Sequence, residues 1–245
     1  MYPIVCKIGS FTIYAYGAMM AVAAAVCAFL LQREAKKNHI NPDIIFDLVF
    51  WVVISGIIGS RLFFVFLNLE YFMKNPGEIL LINQGGLAWQ GGMILGGLTS
   101  VWFIRFKKMP LLKTLDFVIP YAALGQAIGR IGCFLNGCCY GKPWIYGIYF
   151  PVHDARLYPT QLYSAANLFV IFIILKFYQA RNTIDGRVFA WYFILAATER
   201  FFVQFLRADY DPIFLGLGIF QIINILTAAA ALYGDTYLLR RARRR

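Results

Sequence analysis

The sequence predicts an all-α integral membrane protein of about seven transmembrane helices, and three observations lead to this fold class. Apolar residues make up 60% of the 245 residues and charged residues only 14%, whereas soluble domains average about 25% charged residues. The apolar residues are grouped in blocks of about 20, which is the length that a helix needs to cross a bilayer. Short segments with proline, asparagine and charged residues separate the blocks.

The blocks predict one helical bundle over residues 1–245, a single transmembrane domain with no internal repeat. The predicted spans are 11–31, 46–67, 87–104, 114–135, 162–178, 188–207 and 214–237. The first span is expected to remain in the mature protein, because Lys7 is a lone charge before a run too long for a signal peptide. Residues 136–161 are predicted to form a small loop segment on the outer face.

The distribution of lysine and arginine predicts the orientation of the bundle. These residues are concentrated in one set of alternate loops and in the final tail, Arg240, Arg241, Arg243, Arg244 and Arg245. The opposite loops contain only Lys7, Lys74, Lys142 and Arg156. Because basic loops stay in the cytoplasm, the N-terminus is predicted outside and the C-terminus cytoplasmic. Topology and contact with anionic head groups also explain the net charge of +11, so no nucleic-acid partner is expected.

Four arginines fall inside the predicted spans rather than in loops: Arg61, Arg130, Arg200 and Arg207. An arginine at mid-membrane costs roughly 2.5–3.5 kcal/mol on insertion scales, so it rarely persists without a use. At a helical rise of about 1.5 Å per residue, the first three are predicted in the outer half of the bilayer. Arg207 is predicted two turns beyond Arg200 on the same helix face. Guanidinium groups at one depth predict a phosphate site; the alternative is that each pairs with helix-end carbonyls or acids, or extends to the interface.

Residues 125–141 lead from a predicted helix into a tight turn at the outer surface. Gly125, Gly129 and Gly132 follow a small-xxx-small pattern that lets helices approach closely. Asn136 and Gly137 then favour the end of the helix. A buried charge at position 130, just beneath such a turn, predicts a site for a lipid head group.

This segment resembles the signature of the prolipoprotein diacylglyceryl transferases, Gly-Arg-x-Gly-Asn-Phe-x-Asn-Gly-Glu-x-x-Gly. The matching residues are Gly129, Arg130, Gly132, Phe134, Asn136, Gly137 and Gly141. Other segments are similar to further motifs of the family: Tyr16-Gly17, 85–92, Asp116, 159–163 and 199–207. The resemblance therefore extends over nearly the whole chain, and the seven-span topology with the N-terminus outside is also that of the family.

The resemblance implies an enzyme that moves the diacylglyceryl group of phosphatidylglycerol onto the thiol of a lipobox cysteine in a secreted precursor, with release of glycerol phosphate. It implies the bacterial cytoplasmic (inner) membrane, an active site toward the outer leaflet and no cofactor. The implied catalytic residues are Arg130, Arg200 and Gln90. The implied substrate-binding residues are Tyr16, Arg61, Asn136, Arg207, Gly141 and Cys138. Asp116 is expected to brace helix packing nearer the inner side.

The sequence departs from the family pattern at positions where the family places acid–base groups. Gln90 stands for a His, Cys133 for the signature Asn and Cys138 for the signature Glu; Tyr158, Ser164 and Ala196 stand for His, Glu and Tyr. One interpretation is that a positive field alone produces the thiolate. The other is a divergent paralogue that transfers a different lipid group, or a scaffold that binds lipid or signal peptides without catalysis. A transporter is disfavoured, because we see neither inverted repeats nor paired broken helices.

Three cysteines lie close together in the signature segment: Cys133, Cys138 and Cys139. No metal site is predicted, because zinc usually takes four Cys or His ligands and only His153 is at hand on the outer side. A disulfide to Cys133 and a nucleophilic cysteine beside Arg130 are alternatives, but packing of small buried side chains is the favoured interpretation. His153 itself is expected to be a solvated loop histidine.

Overall fold

The computed structural model describes residues 3–8, 11–81, 85–213 and 216–243, and these residues are mostly helical. The α-helices are α1 Ala15–Lys37, α2 Pro42–Leu67, α3 Leu69–Lys74, α4 Trp89–Phe106, α5 Leu111–Asn136, α6 Thr160–Arg181, α7 Arg187–Gln204 and α8 Ile219–Arg243. A 3₁₀ helix covers Pro76–Leu80. Two antiparallel hairpins complete the described part, β1 Ile4–Ile8 with β2 Phe11–Tyr14 and β3 Pro143–Phe150 with β4 Ala155–Leu157.

Five of the described helices are long and apolar enough to cross a membrane, namely α1, α2, α5, α6 and α8. The prediction of a mostly helical, multi-pass membrane protein is thereby confirmed. Each of the seven predicted spans contains one helix; α4 and α7, with 18 residues each, are the two not among the five. The number of spans and the orientation of the termini stay predictions.

Two predicted span boundaries are wrong. The first span was predicted to begin at residue 11, but Phe11–Tyr14 pair with Ile4–Ile8 and the helix begins at Ala15. Near the other end of the chain, α7 ends at Gln204. The following backbone instead bonds to the 140–142 segment, with Lys142 N donating to Leu206 O at 2.8 Å. Arg207 therefore does not continue the helix face of Arg200. The predicted start of the last span at 214 lies outside the described residues, and α8 begins at Ile219.

The chain divides into two compact units, residues 28–111 and residues 1–27 with 112–245. In the first unit, α2 and α4 cross at glycines. A Cβ on Gly59 would lie 2.4 Å from Gly91 O, and a Cβ on Gly92 would lie 2.4 Å from Ser60 Oγ. Any side chain at Gly59 or Gly91 would therefore separate the two helices. This crossing explains why glycine occupies both Gly91 and Gly92 in the 85–92 segment.

In the second unit, α5, α6 and α7 share an apolar core. Its fully buried members include Ala123, Leu175 and Val188. The beginning of α1 packs on the glycine face of α5, since a Cβ on Gly132 would lie 2.9 Å from Met19 Cβ and one on Gly129 would lie 3.3 Å from Met20 Sδ. The predicted close helix approach at these glycines is confirmed.

Asp116 connects α5 to the beginning of α7. Its carboxylate accepts hydrogen bonds from Gly186 N at 2.6 Å and from Phe189 N at 2.8 Å. A carboxylate there satisfies two N–H groups that the first turn of a helix leaves free and complements the positive end of the helix dipole. The predicted bracing role of Asp116 is confirmed.

The predicted outer-face loop segment, 136–161, contains the β3–β4 hairpin. Phe150 anchors the hairpin, being fully buried and 6.0 Å from Phe134 between ring centroids. Trp144 stacks on Tyr158 with centroids 4.5 Å apart. These contacts hold the hairpin on the chain between Asn136 and α6, so the segment is packed rather than loose.

Candidate functional site

The loop 137–142 follows directly on α5 and is fixed by hydrogen bonds along its length. Gly141 N donates to Tyr158 O at 3.0 Å, and Ala208 N donates to Tyr140 O at 3.2 Å. The beginning of α6 contributes side chains as well: Gln161 Nε2 donates to Cys138 O at 2.6 Å, and Thr160 Oγ1 to Cys139 O at 2.8 Å. The loop is therefore held rigidly at one end of α5 and α6, as a preorganised site requires.

Arg130 and Arg200 approach each other beside this loop. Arg130 lies two turns before the end of α5 and Arg200 one turn before the end of α7, and both side chains are half-buried. They are close enough for their charges to repel. Among the described residues, neither forms a salt bridge within 4.0 Å. Two guanidinium groups within electrostatic range of each other and without a salt bridge favour the binding of an anion beside them.

Several buried polar atoms around these arginines have no hydrogen-bond partner within the described part of the chain. They are Arg200 Nη1, Gln161 Oε1, Glu199 Oε1 and Gln204 Oε1. Gln161 is 1% exposed and Gln204 2% exposed. Buried polar atoms are nearly always partnered in folded proteins. One free donor and three free acceptors in one region are therefore typical of a binding site for a polar ligand.

Glu199 is a carboxylate of this site that is not among the residues predicted from the sequence. It hydrogen-bonds to Ser164 of α6 and lies within electrostatic range of both Arg130 and Arg200. Ser164 occupies the position where the family pattern has Glu. Glu199 thus places a carboxylate against Ser164 from the neighbouring helix α7. An acidic residue inside a predicted span was the available signal, since such residues are rarely without a role.

Arg207 is bound to its own turn rather than left free. Its Nε and Nη2 donate to Asp209 at 2.7 and 2.6 Å, and Nη1 donates to Cys139 O at 3.4 Å. The hydrogen bonds from Arg207 hold the pKa of Asp209 below its usual value. Arg207 is only 6% exposed, and its hydrogen bonds to Asp209 and Cys139 O fix the loop; its substrate-binding role stays a prediction.

Gly141 and Asn136 also stabilise the loop, the first by close packing and the second by a hydrogen bond. A Cβ on Gly141 would lie 2.5 Å from Tyr158 Cβ and 2.6 Å from Leu206 O, so close packing explains this glycine without a ligand. The Asn136 side chain hydrogen-bonds to the thiol of Cys138. Gly141 thus has a packing role, and its predicted contact with substrate stays a prediction.

Cys133, Cys138 and Cys139 bring their sulfur atoms together, all within 4.8 Å of one another. Cys138 Sγ also donates to Cys133 O at 3.6 Å. Hydrogen bonds from Cys133 and Cys138, together with the nearby Arg207, lower the pKa of the Cys139 thiol. The expectation of simple packing residues does not account for this arrangement.

Tyr16 and His153 lie against the same region. Tyr16, in the first turn of α1, is within electrostatic range of Arg130 and of the three thiols. His153 Nε2 lies 3.0 Å from Gly137 O, which can only accept, so this nitrogen donates. The His153 ring packs on Tyr140 at 3.9 Å between centroids. His153 thus braces the loop, and the expectation of a solvated histidine is wrong.

Arg61 and Gln90 belong to the other unit, residues 28–111. All five N–H groups of Arg61 donate to backbone carbonyls, those of Glu78, Ile79, Leu81, Gly85 and Gly86, at 2.6 to 3.3 Å. Guanidinium has five donors in all. Arg61 therefore anchors the 78–86 segment, and its substrate-binding role stays a prediction. Gln90 lies half-buried in the first turn of α4.

A shallow apolar groove of about 230 Å³ lies elsewhere in the second unit, between α7 and α8. Its lining residues are Ala197, Thr198, Phe201, Asn224, Ile225 and Ala228. None of the expected site residues lines this groove.

The fold and the site together define a class of protein: a multi-pass membrane protein in which two arginines without a salt bridge among the described residues lie beside a rigid loop. The family model for prolipoprotein diacylglyceryl transferase matches residues 3–237. The chain belongs to this family. The phosphatidylglycerol–prolipoprotein diacylglyceryl transferase of Clostridium tetani is 34% identical over 241 residues, 95% of this chain and 96% of the relative.

Two further relatives carry the same name. That of Finegoldia magna is 34% identical over 212 residues, covering 86% of this chain and 85% of the relative. That of Nostoc sp. is 31% identical over 260 residues, covering 98% of this chain and 90% of the relative. The predicted family resemblance is confirmed over nearly the whole sequence.

Proposed function

We propose that this chain is a phosphatidylglycerol–prolipoprotein diacylglyceryl transferase, an enzyme that moves the diacylglyceryl group to a cysteine thiol of a precursor protein. Membership of the family and the names of three relatives that align over most of the chain support this function. The lipobox cysteine of a secreted precursor is the acceptor that we propose, and glycerol phosphate is the released product.

The buried Nη1 of Arg200, which has no hydrogen-bond partner among the described residues, carries this proposal. An arginine donor without a partner away from water is costly and is expected where a ligand supplies the acceptor. Arg130 adds a second guanidinium within electrostatic range of Arg200, and it forms no salt bridge among the described residues. The phosphate of phosphatidylglycerol offers oxygens that match the planar fork of each.

The chemistry follows from where negative charge develops. The bond between a glyceryl carbon and a phosphate oxygen breaks, while a carbon–sulfur bond forms to the acceptor. The leaving glycerol phosphate gains charge in the transition state, and the two guanidinium groups are already positioned to stabilise it. Preorganised donors of this kind contribute about 10²–10³-fold in rate each.

The unpartnered acceptors suit the remainder of the head group. The Oε1 atoms of Gln161 and Gln204 are buried and free to accept hydrogen bonds. Phosphatidylglycerol has hydroxyl groups on its terminal glycerol, and a site that hydrogen-bonds such hydroxyls rejects analogues without them. Tyr16 and Asn136 are proposed to line the same site, and Glu199 to position both arginines. Gln90 stands at the catalytic position where the family has His.

The location and topology are part of the same proposal. Seven spans, with the N-terminus outside and the C-terminus cytoplasmic, place residues 136–161 at the outer face of the bacterial cytoplasmic membrane. Arg130 and Arg200 then lie in the outer leaflet, where a secreted precursor meets its lipid. The distribution of lysine and arginine supports this orientation.

Mass spectrometry tests the function directly. Purified protein is incubated with phosphatidylglycerol and a peptide that contains a lipobox cysteine, and the mass added to the peptide is measured. We expect the mass of one diacylglyceryl group, and no addition to the matched peptide with serine in place of cysteine. Phosphatidylethanolamine as donor tests head-group selection. Full transfer by Arg130→Ala and Arg200→Ala variants, or addition of a different group, would overturn the proposal.

A further inference from the structure

The three thiols of the signature segment form a cluster of the size that a metal ion requires. The sulfur atoms of Cys133, Cys138 and Cys139 all lie within 4.8 Å of one another. With zinc–sulfur bonds of about 2.3 Å in tetrahedral geometry, ligand sulfurs lie about 3.8 Å apart. Small rotations of the three side chains therefore bring the sulfur atoms to three corners of a tetrahedron.

The backbone holds this cluster in place. Cys133 is in the last turn of α5, and the chain then reverses at Gly137, which has a φ of 74°. Cys139 has a φ of 60°, a left-handed conformation that is uncommon for a residue other than glycine. Such a conformation persists only where the surroundings impose it and is concentrated at functional sites. Here the carbonyl groups of Cys138 and Cys139 are held by Gln161 and Thr160.

We propose that Cys133, Cys138 and Cys139 bind one Zn²⁺ ion as thiolates and leave a fourth position open for the thiol of the protein substrate. This inference rests on the proposed function, whose acceptor it describes. Zinc sites with four protein ligands are structural, whereas catalytic ones have three and keep a position free. Three sulfurs without a fourth described ligand match the second kind.

The charges around the cluster suit a zinc–thiolate complex. Zn²⁺ with three thiolates carries one negative charge, and a fourth thiolate from the substrate brings a second. Arg207 hydrogen-bonds to the Cys139 side chain, and Arg200 lies within its electrostatic range. Positive neighbours favour the deprotonated thiols that zinc requires. The same neighbours offset the charge that the substrate thiolate adds.

Zinc would activate the substrate thiol in place of a general base. The substrate thiol loses its proton to the solvent as its sulfur binds the open position. That sulfur then attacks the glyceryl carbon, the carbon–oxygen bond to phosphate breaks, and glycerol phosphate leaves as an anion bound to Arg130 and Arg200. The product thioether is neutral and a weaker ligand than a thiolate, so it dissociates and the three-cysteine site is restored.

This chemistry relates three departures from the family pattern. Cys133 and Cys138 stand where the pattern has Asn and Glu, and Gln90 stands where it has His. A glutamine cannot accept the proton of a thiol at neutral pH. A metal ion that lowers the pKa of a bound thiol makes that base unnecessary. The cysteines thus provide by coordination what the replaced groups would provide by proton transfer.

Metal binding is measured on the full chain in detergent, reduced with a phosphine and kept without oxygen. After incubation with Zn²⁺ and removal of excess ion, we expect one zinc per chain. The variants Cys133→Ser, Cys138→Ser and Cys139→Ser should each lose most of it, and Cys27→Ser should keep it. Cys27 is the matched control, a buried cysteine that lies in α1 and whose thiol donates to Tyr121 O. Equal zinc in the wild type and in all three cluster variants would overturn the site.

Substitution of Co²⁺ for Zn²⁺ reports on the open position. A tetrahedral cobalt–thiolate spectrum is expected, and its charge-transfer absorption should increase when a lipobox peptide adds a fourth thiolate. The peptide with serine for cysteine should leave the spectrum unchanged. A spectrum that is indifferent to the cysteine peptide, or binding of Cu⁺ but not of Zn²⁺ or Co²⁺, would overturn the proposal. These measurements need no lipid donor.

Activity then separates this inference from the proposed function. Removal of zinc by a chelator under reducing conditions should lower transfer about tenfold or more, with recovery when Zn²⁺ is added back. Full transfer by the metal-free, reduced protein would overturn the zinc site and leave the transferase function intact. Binding of zinc and of the peptide thiol without any transfer from phosphatidylglycerol would instead overturn the function. A thermal unfolding scan of each cysteine variant shows whether lost zinc reflects lost folding.

Discussion

Arg61 and Arg200 are both arginines in the interior of a helix, yet the two regions of the molecule use them in opposite ways. In the 28–111 unit, Arg61 directs all five of its donors to carbonyl oxygens of the 78–86 segment and contacts the rings of Phe64 and Phe72. In the other unit, Arg200 keeps a buried donor without a partner within the described residues.

The difference shows that depth in a membrane helix does not by itself identify a ligand-binding arginine. Both residues satisfy the sequence criterion of a charge inside an apolar span. Only the count of satisfied donors separates them, because a guanidinium with five acceptors has nothing left to offer a phosphate. Arg61 therefore stabilises the fold, whereas Arg200 is available for function.

The largest expected effect comes from truncating the unsatisfied arginine. Arg200→Ala should reduce transfer by about 10²–10³-fold, because one preorganised donor group of the transition state is lost. Its thermal unfolding midpoint should change little, since few contacts are broken. Transfer assays with phosphatidylglycerol and a lipobox peptide provide the measurement, and Arg130→Ala is expected to behave in the same way.

Arg200→Lys is the matched conservative variant, because it keeps the charge but not the planar fork of donors. We expect it to recover only part of the lost rate. An Arg200→Ala enzyme that is unstable but fully active per folded molecule would contradict the distinction drawn between the two arginines.

Arg61→Ala should act on stability rather than on chemistry. Removal of the guanidinium leaves five carbonyl oxygens without their donor, and each hydrogen bond to a charged group contributes about 1.5–3 kcal/mol. We expect a loss of at least about 3 kcal/mol in the free energy of unfolding in detergent. The fraction that remains folded should transfer at close to the wild-type rate. Arg61→Lys should also be destabilised, since an ammonium group cannot reach five acceptors.

The sequence predicted the helices well, because a span of about 20 apolar residues is a strong physical constraint. It failed at Phe11–Tyr14 and beyond Gln204, where apolar residues continue but the backbone pairs with another strand or loop. Hydropathy measures the side chains alone and contains no information on where backbone hydrogen bonds go. Such boundaries follow from tertiary contacts that no local pattern encodes.

The candidate site was predictable in part. Arg130 and Arg200 could be identified because a charge in an apolar helix is rare, and the structure brings them together. Asp209, the partner of Arg207, and the carbonyls that bind Arg61 lie in neighbouring turns, which a single sequence cannot assign. The cysteine cluster needed the left-handed turn at 137–139 to bring its three sulfur atoms together.

A smaller effect is expected at Glu199, the carboxylate within electrostatic range of both Arg130 and Arg200. Glu199→Gln should lower transfer about tenfold, because the negative charge that positions Arg130 and Arg200 is lost while the volume is kept. Steady-state transfer rates and the KM for phosphatidylglycerol give the measurement. The loss of transfer should appear mainly as a higher KM for the lipid. Glu70→Gln, an exposed acid in α3, is the control.

The double variant Ser164→Glu with Glu199→Ser sharpens this prediction. It returns the carboxylate to α6, where the family pattern has it, and keeps the Ser–Glu pair that the structure contains. We expect most of the activity to return relative to Glu199→Gln. A double variant less active than the single one would mean that the position of Glu199, and not only its charge, is required.

The smallest effect is expected at Gln90, in the same unit as Arg61. A required general base is worth about 10²–10⁴-fold in rate, so Gln90→His would produce a large gain if the missing imidazole limited this enzyme. If the thiol is instead activated by the zinc–cysteine site, the added histidine supplies nothing that the reaction needs. We therefore expect transfer by Gln90→His to stay within about threefold of wild type, measured with zinc-loaded protein. A hundredfold increase in transfer would show that the 28–111 unit contributes to the chemistry. In that case Gln90 would have a catalytic role, whereas Arg61 in the same unit would remain structural.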